Sequence, residues 1–565
     1  MRLANIAVFS VALGRSMHGR ALVNCRQILA APDPSVAHAE NLDLYLAHLI
    51  LPWRKKGKRL AVATSDTSPA NIARIRAAFG ASALPFFMAK QELIDHIESR
   101  FGDALLERSI CALKHARPEF SAEKTVTKGQ GAVLLAIPLA IAAFYFAAPI
   151  IVGASLVILC AAAYLANAIF RALLVWIGAG EMPKAATLLE RDDDLPLYTI
   201  LVPLYREANV LPALAAALGA LDYPREKLDI KLILESDDEE TIAAAERLAL
   251  ADCFEIVRVP ASEPRTKPKA CNYALQFARG EFLVIYDAED RPEPDQLRKS
   301  VAAFRAGAPE IACLQARLNF YNATENWLTA MFALDYALWF DFLLPGLERL
   351  GVPMPLGGTS NHFRTAALRA IHGWDPYNVT EDADLGIRLA QMGYRVATLD
   401  STTFEEATTG LANWLRQRSR WMKGYMQTWL VHMRSPTGLL RNAKVKGFFC
   451  FQLFIGGTIA TALASPILWA LSLLPWVPGA PHLPELGAHL PLPALSLFIG
   501  NALFTYLAML GPYRRGWLAL APLGLAAPVY WLLISLAAYR GLIQLFTRPW
   551  HWEKTRHGTS KMCAR

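Results

Sequence analysis

The sequence predicts an α/β domain with a mostly parallel sheet, set between membrane hairpins and preceded by a smaller α/β module. Three observations predict it. Apolar residues make up 54% of the 565 residues and mean hydropathy is +0.25, high for a soluble protein, so membrane segments are expected. Between 195 and 311, short apolar runs alternate with helix-spaced segments, the pattern of strands joined by crossover helices. Two of those runs end in acid clusters, at 235–240 and 287–290. The eight cysteines contain no C-x-x-C pair, which argues against a zinc site or a disulfide scaffold and suits a reducing cytoplasm. The formal charge of +8 calls for no nucleic acid partner, because basic residues collect on the cytoplasmic side of membrane proteins.

Residues 1–115 read as a small cytoplasmic α/β domain. The opening apolar run is short and is followed by Arg15, His18 and Arg20 without a small-residue cleavage site, so no cleavable signal peptide is expected. Residues 59–66 read as a strand ending in a polar turn, and 71–79 as an amphipathic helix. Apolar positions 93, 94, 97 and 101 have helical spacing over 92–101. Residues 116–128 form a polar linker. The next segment, 129–180, is a transmembrane hairpin with an interfacial extension. Residues 131–170 carry no charge, about twice the roughly 20 residues one crossing needs. Pro149 marks the turn, and Lys128 and Arg171 put both ends on the cytoplasmic side.

Residues 195–430 carry the α/β pattern. A strand at 198–202 leads into Pro203-Leu204-Tyr205-Arg206-Glu207, and a helix follows over about 209–218. The strand at 230–234 ends in Glu235, Ser236, Asp237 and Asp238. After a strand at 254–259 come the loop Thr266-Lys267-Pro268-Lys269 and a helix with Asn272. The run Phe282-Leu283-Val284-Ile285-Tyr286 stops at Asp287-Ala288-Glu289-Asp290, and Pro292 and Pro294 forbid its continuation. Acids at the carboxyl end of a core strand are costly without a positive partner, and ligands bind at that edge of open α/β sheets. Asp287 and Glu289 are two residues apart, so both can face one cation in an extended tip. Oxygen ligands of this kind suit Mg²⁺ or Mn²⁺ held together with substrate phosphates. The alternative is an acidic turn capping the next helix. Further on, 356–364 is a small-residue turn where backbone can approach a ligand. Thr380 is placed to cap a helix whose first turn holds Glu381 and Asp382. Gln417, Arg420 and Trp421 share one helical face at i, i+3 and i+4, a set that suits a sugar beside a diphosphate; an ordinary amphipathic helix is the alternative.

The remainder returns to the membrane. Residues 431–446 read as an interfacial helix and 447–512 as a second hairpin, whose loop at 479–490 lacks Lys and Arg and is expected in the periplasm. Residues 513–548 are apolar but broken by Arg540 and flanked by Arg514, Arg515 and Arg548; they read as an interfacial or re-entrant segment, with a fifth crossing as the alternative. Residues 549–565, with Trp550, Trp552, Lys554, Thr555 and His557, then form a cytoplasmic tail.

D-A-E-D, T-E-D and Q-R-S-R-W, in that order and ahead of membrane helices, resemble the processive family 2 glycosyltransferases, which include cellulose, chitin and hyaluronan synthases. Y-D-A-E-D-R-P-E-P-D-Q-L, N-V-T-E-D-A-D-L-G-I-R-L and W-E-K-T-R-H-G look most like bacterial cellulose-synthase-like glucan synthases. The usual D-x-D stands here as Asp287-Ala288-Glu289. The resemblance implies a GT-A-like domain that transfers a hexose, glucose by this likeness, from a UDP-sugar into a β-linked polysaccharide with inversion. It implies that Asp382 is the base with Glu381 beside it, and that Asp287 and Glu289 hold Mg²⁺ or Mn²⁺. Glu235, Asp237 and Asp238 would contact uridine, Lys267 and Arg420 the diphosphate, and Gln417 and Trp421 the acceptor; Asn272 is placed with the substrate. Trp552, Lys554 and Thr555 match a gating loop. The implied partners are the growing polysaccharide, the bilayer and periplasmic or outer-membrane export proteins. The implied location is the bacterial inner membrane, multi-pass, with the catalytic domain cytoplasmic. A non-processive transferase acting on a lipid, and a non-catalytic receptor or assembly protein retaining the fold, are the competing readings. The block L-P-W-R…R-L-A-V-A-T-S-D…E-L-I-D-H-I-E-S-R-F-G resembles half of the N-terminal domain of type II secretion ATPases. Relatives of that domain bind cyclic di-GMP through a tandem R-L-G-x-x-L…L-x-x-A-L pattern that this sequence lacks, so a docking role and cyclic di-GMP regulation both stay open.

Overall fold

The computed structural model describes residues 31–181, 191–248, 251, 253–473, 491–555 and 558–561. The expected 479–490 loop and His557 lie outside the described residues. The chain divides into two compact units, residues 1–108 with 256–258, and 109–255 with 259–565.

In the first unit, β1 (Ile50–Lys56) and β2 (Arg59–Thr64) form an antiparallel hairpin, with Gly57 at φ +57° in the turn. The Pro69–Phe79 helix carries the chain back to β3 (Ala83–Phe87), which pairs with β2 in parallel. Ser68 caps that helix through the Asn71 N–H, with Pro69 in its first turn, where a missing N–H costs nothing. The Lys90–Ala116 helix is longer than the expected 92–101. Its Leu93, Ile94, Ile97, Phe101 and Leu105 are buried, one stripe at helical spacing.

The second unit is built on an eight-stranded sheet in the order β6-β5-β4-β7-β10-β9-β11-β8. The strands are β4 (Tyr198–Leu204), β5 (Leu228–Glu235), β6 (Phe254–Val259), β7 (Phe282–Ile285), β8 (Arg291–Pro292), β9 (Ile311–Phe320), β10 (Asn361–Arg364) and β11 (Arg395–Glu405). β4 pairs in parallel with β5 and with β7, as the alternating pattern predicts. The sheet is nonetheless mixed. β10 runs antiparallel to both β7 and β9, and β8 runs antiparallel to β11. Both are too short to show a period in sequence, and β10 occupies the last four residues of the stretch 356–364 expected as a turn, just after Ser360 at φ +53°. A curled mixed sheet of this order is the GT-A-like arrangement that the sequence resemblance implies.

Among the described residues, six helical segments are long and apolar enough to cross a membrane by length and composition: Lys128–Ala147, Pro149–Gly178, Trp327–Leu350, Pro436–Leu473, Leu492–Arg514 and Ala521–Thr547. Thr127 and Gln130 form a capping box at the first, and Pro149 opens the second. The first exposes apolar side chains along its whole length, whereas Trp327–Leu350 is largely buried inside the protein. The segment read as interfacial or re-entrant folds as a 3₁₀ turn, Ala521–Ala526, and a helix, Ala527–Thr547.

Candidate active site

One helix organises the site. Leu411–His432 carries buried polar residues that do two jobs, and Gln427 serves in both. Towards the sheet it braces the loop that carries the T-E-D acids. Gln427 accepts from the Val379 N–H at 3.1 Å, and the Asn378 amide donates to Thr428 Oγ1 at 3.1 Å. Asn378 Oδ1 in turn accepts from the Thr380 N–H at 3.0 Å. Gly424 lets Thr380 lie against the helix, since a Cβ there would stand 2.3 Å from Thr380 Oγ1. Towards the carboxyl end of the chain the same helix holds the tail. Lys423 donates to the carbonyls of Arg548 and His551 at 3.1 and 2.9 Å, and Gln427 donates to that of Pro549 at 3.0 Å.

Between these elements lies a cavity of about 260 Å³ at the carboxyl ends of β4, β5 and β7. Its walls include Glu235, Lys267, Asp287, Glu289, Glu381, Asp382, Gln417, Arg420, Trp421, Trp552, Lys554 and Thr555. The structure thus brings together twelve residues that the sequence singled out from six separate stretches. Three others lie apart from the cavity walls. Asp238 caps the Glu239–Arg247 helix through the Thr241 N–H and also accepts from the Arg206 N–H. Asn272 is buried and spent on backbone, donating to the carbonyls of Ser109 and Trp374 and accepting from the Trp374 N–H. Asp237 pairs with Arg265 at 2.8 Å, and it is Arg265 that reaches the cavity. Short polar side chains beside turns cap backbone groups readily, which is why acid identity alone could not separate Asp238 from Glu235.

The charges are arranged in opposition. The Lys267 ammonium lies 2.5 Å from Asp287 Oδ1 and donates to the Gly358 carbonyl at 2.7 Å. Burial would lower its pKa, but Asp287 and Glu381 hold it above the ordinary lysine value. Asp290, behind Asp287, is buried, and burial followed by the charges of Asp287 and Glu289 pushes it well above the carboxylate range. It serves the loop: Oδ2 accepts from the Asp287 N–H at 2.8 Å and from Thr359 Oγ1. Burial and then the Asp382 charge raise Glu381 to about 8. Burial also raises Asp382. Asp382 Oδ1 accepts from the Ala383 N–H at 2.8 Å.

Four of the buried polar atoms that have no hydrogen-bond partner among the described residues belong to residues on the cavity wall: Glu405 Oε1, Arg420 Nε, Lys554 Nζ and Thr555 Oγ1. Buried polar atoms are rarely left unmet, so a polar ligand group such as a diphosphate fits there. Asp287 and Glu289 offer carboxylate oxygens on the same wall that fit a hard divalent cation, with Lys267 holding Asp287 Oδ1. Among the described residues no cluster of three or more metal-binding side chains exists, so phosphate oxygens and water would complete the shell, as is usual for Mg²⁺.

The sequence reading did not single out Tyr205, Glu207, Arg265 or Glu405 as site residues, yet all line the cavity. The signal for the first two was the strand end: Tyr205 and Glu207 follow β4 much as Asp287 and Glu289 follow β7. Three cations surround the Tyr205 ring, with Arg206, Arg265 and Lys554 at 5.1, 5.7 and 5.4 Å from its centroid. Lys554 also pairs with Glu207 at 3.0 Å.

A second cavity, of about 230 Å³, shares Tyr336, Gly358, Thr380, Asp382 and Trp421 with the first. It continues between the apolar helices, where rings (Tyr164, Trp339, Tyr425, Trp531) alternate with Asn167, Thr458, Thr461 and Ser465.

Residues 282–543 match the family model described as glycosyl transferase family group 2, and residues 28–107 match that of the MshEN domain. Residues 282–543 are thus similar to glycosyltransferases of family group 2, and residues 28–107 to MshEN domains. Among curated relatives, a beta-monoglucosyldiacylglycerol synthase of Trichormus variabilis is 29% identical over 44% of this chain and 54% of its own length. Glucomannan 4-beta-mannosyltransferase 2 of Arabidopsis thaliana is 25% identical over 52% of this chain and 56% of its own. The chain thus spans little more than half the length of these relatives. Among solved structures, a mannosyltransferase from Pyrobaculum calidifontis in complex with GDP-Man and Mn²⁺ aligns over 69% of this chain and 99% of its own, at 20% identity and a TM-score of 0.44.

Proposed function

We propose that the protein is a membrane-embedded inverting glycosyltransferase that adds a hexose, glucose by preference, from a UDP-sugar to a β-linked polysaccharide and passes the chain across the inner membrane. The observation that carries this reading is the second cavity. It begins at Asp382 and Trp421 and runs between apolar helices, with Tyr164, Trp339, Tyr425 and Trp531 and the polar Asn167, Thr458, Thr461 and Ser465 set among leucine, methionine and alanine side chains; the rings offer faces on which sugars can stack.

In this reading the acceptor hydroxyl attacks the anomeric carbon, and its proton passes to Asp382. The bond to the UDP oxygen breaks on the opposite face. Lys267, Arg420 and Lys554 set fixed positive charge around the departing diphosphate. A divalent ion on Asp287 and Glu289 would supply Lewis-acid stabilisation of that leaving group. Trp421, stacked near Tyr336 at 6.1 Å between centroids and 23° between planes, presents a ring at the junction of the cavities, where the acceptor's terminal sugar would rest.

A second reading has one specific observation in its favour: the relative named beta-monoglucosyldiacylglycerol synthase points to a lipid acceptor. Purified protein in lipid nanodiscs, given UDP-[¹⁴C]glucose, separates the readings. Polymerisation predicts label in a high-molecular-weight, glucanase-sensitive product; lipid glycosylation predicts label in the organic phase. No UDP release with any UDP-hexose would leave only a receptor or assembly role.

A further inference from the structure

The segment that reads as a polar linker ahead of the first apolar helix is not loose chain. After the Lys90–Ala116 helix it forms a 3₁₀ turn, Pro118–Phe120, and buries Phe120, Ser121, Ala122 and Thr125. Arg434, just beyond the Leu411–His432 helix, donates to the carbonyls of Pro118, Glu119 and Ser121 at 3.2, 3.0 and 2.9 Å, and to that of Lys124. A guanidinium has donors enough for all four, so one side chain fixes the path of the whole stretch.

Ala122 is where this stretch meets the supports of the site. Its N–H donates to Asp375 Oδ2, and Ser121 Oγ donates to Asp375 Oδ1 at 3.4 Å. Asp375 stands in the loop that leads to Glu381 and Asp382, and it also accepts from the Tyr377 N–H at 3.1 Å. The Ala122 carbonyl serves the tail instead. Trp550 Nε1 donates to it at 3.1 Å, and the Trp550 ring meets the Tyr377 ring at 5.5 Å and 68°. The two attachments differ in kind. A buried N–H needs its acceptor, so the side facing Asp375 is fixed. The carbonyl has a second donor, Thr125 Oγ1 at 3.2 Å, and the Trp550 side chain is 40% exposed. Trp550 can therefore leave without stranding a buried acceptor, and its own N–H then finds water.

We propose that residues 118–125, clamped by Arg434, are a positioning element that holds the tail over the donor cavity through a releasable contact with Trp550. This rests on the reading that Trp552, Lys554 and Thr555 cover a bound UDP-sugar. While Trp550 is docked, the residues that follow it stay on the cavity wall. When the clamped stretch shifts, the tail loosens and UDP leaves faster. The acids stay in place, because Gln427 and Thr428 hold their loop separately.

The test uses the full chain in nanodiscs, with UDP-glucose turnover and with the dissociation of a ribose-labelled fluorescent UDP followed by stopped flow. Arg434 lines neither cavity. Arg434→Gln should speed UDP dissociation and raise the KM for UDP-glucose, each by about tenfold, the worth of one or two hydrogen bonds. The single-turnover rate at saturating UDP-glucose should stay as in the parent, and Arg434→Lys should recover part of the loss. Trp550→Phe keeps a ring on Tyr377 but loses the N–H, and should act in the same direction. The two changes combined should add little, because both loosen one contact. Where Arg434→Gln lowers the folded fraction, Trp550→Phe carries the test. Parent-like dissociation in the folded variants, or a slower single turnover with KM unchanged, makes the stretch a passive linker and overturns the proposal. A parent that binds UDP but transfers no sugar overturns the transferase reading instead, and the dissociation rates then test the positioning role alone.

Discussion

The Arg420 guanidinium lies over the Trp552 ring, 4.3 Å from its centroid. One residue belongs to the Q-R-S-R-W helix and the other to the tail, so this contact joins the part of the site expected to bind diphosphate to the segment that covers it. A cation–π contact of a desolvated guanidinium is worth about 2 kcal/mol. Trp552→Ala should therefore raise the KM for UDP-sugar more than about tenfold, while Trp552→Phe, which keeps a ring face, should recover much of the loss. Equal KM values for the two variants would remove the contact from the mechanism.

Asp382→Asn should abolish transfer and leave UDP affinity nearly intact, because it removes a proton acceptor and little volume. General-base catalysis typically supplies roughly 10²–10⁴-fold, so transfer above about a tenth of the parent rate excludes Asp382 as the base.

The pH profile follows from the same pair. The base must be deprotonated, and burial raises Asp382 above the ordinary aspartate value. Transfer should therefore fall as pH drops through a point higher than that of an exposed carboxylate. Glu381, raised to about 8, is already protonated there. Glu381→Gln should leave the acid limb of kcat where it is in the parent. A limb that moves by a unit or more would assign the titration to Glu381.

Asp287→Ala should abolish metal-dependent binding of UDP. Calorimetry with and without Mg²⁺ checks this directly: the same UDP affinity in both conditions in the parent protein excludes a metal at Asp287 and Glu289.

Gly424→Ala tests the brace behind the acids. Its Cβ would stand 2.3 Å from Thr380 Oγ1, so the loop must shift. Overpacking of this kind costs about 1–3 kcal/mol, and a displaced base loses rate before it loses binding. Turnover should fall by about tenfold or more with UDP affinity little changed. Parent-like turnover would make the close approach irrelevant to catalysis.

Strand ends were legible because burial forces apolar runs and chemistry forces acids; the two conflict at Asp287, and the conflict is visible in one sequence. The T-E-D helix start and the Gln417, Arg420 and Trp421 face were legible for the same reason, since helical spacing fixes which side chains share a side. Less was legible where backbone rather than side chain decides. β10 has four residues and no period, so the sheet could only be read as parallel. Asn272 and Asp238 look like ligands by residue type, but their partners are peptide groups far away in sequence or at a helix end. Lys423 gave no sign of its role: a lysine beside Q-R-S-R-W reads as one more surface charge until the tail carbonyls are found on it.

The tail is fastened at both ends. Arg540 holds Glu553 before the covering segment, and beyond it Glu406 accepts the N–H groups of Gly558, Thr559 and Ser560 at 2.7, 2.8 and 2.9 Å. A chain pinned twice has few conformations to lose. Loop-closure entropy grows with the length of free chain, so covering the site from this state costs far less than folding down a free terminus. Under the proposed function, a diphosphate would have to outcompete Glu207 for Lys554, and a tail held on both sides of the site would favour release of UDP while the product chain stays in place.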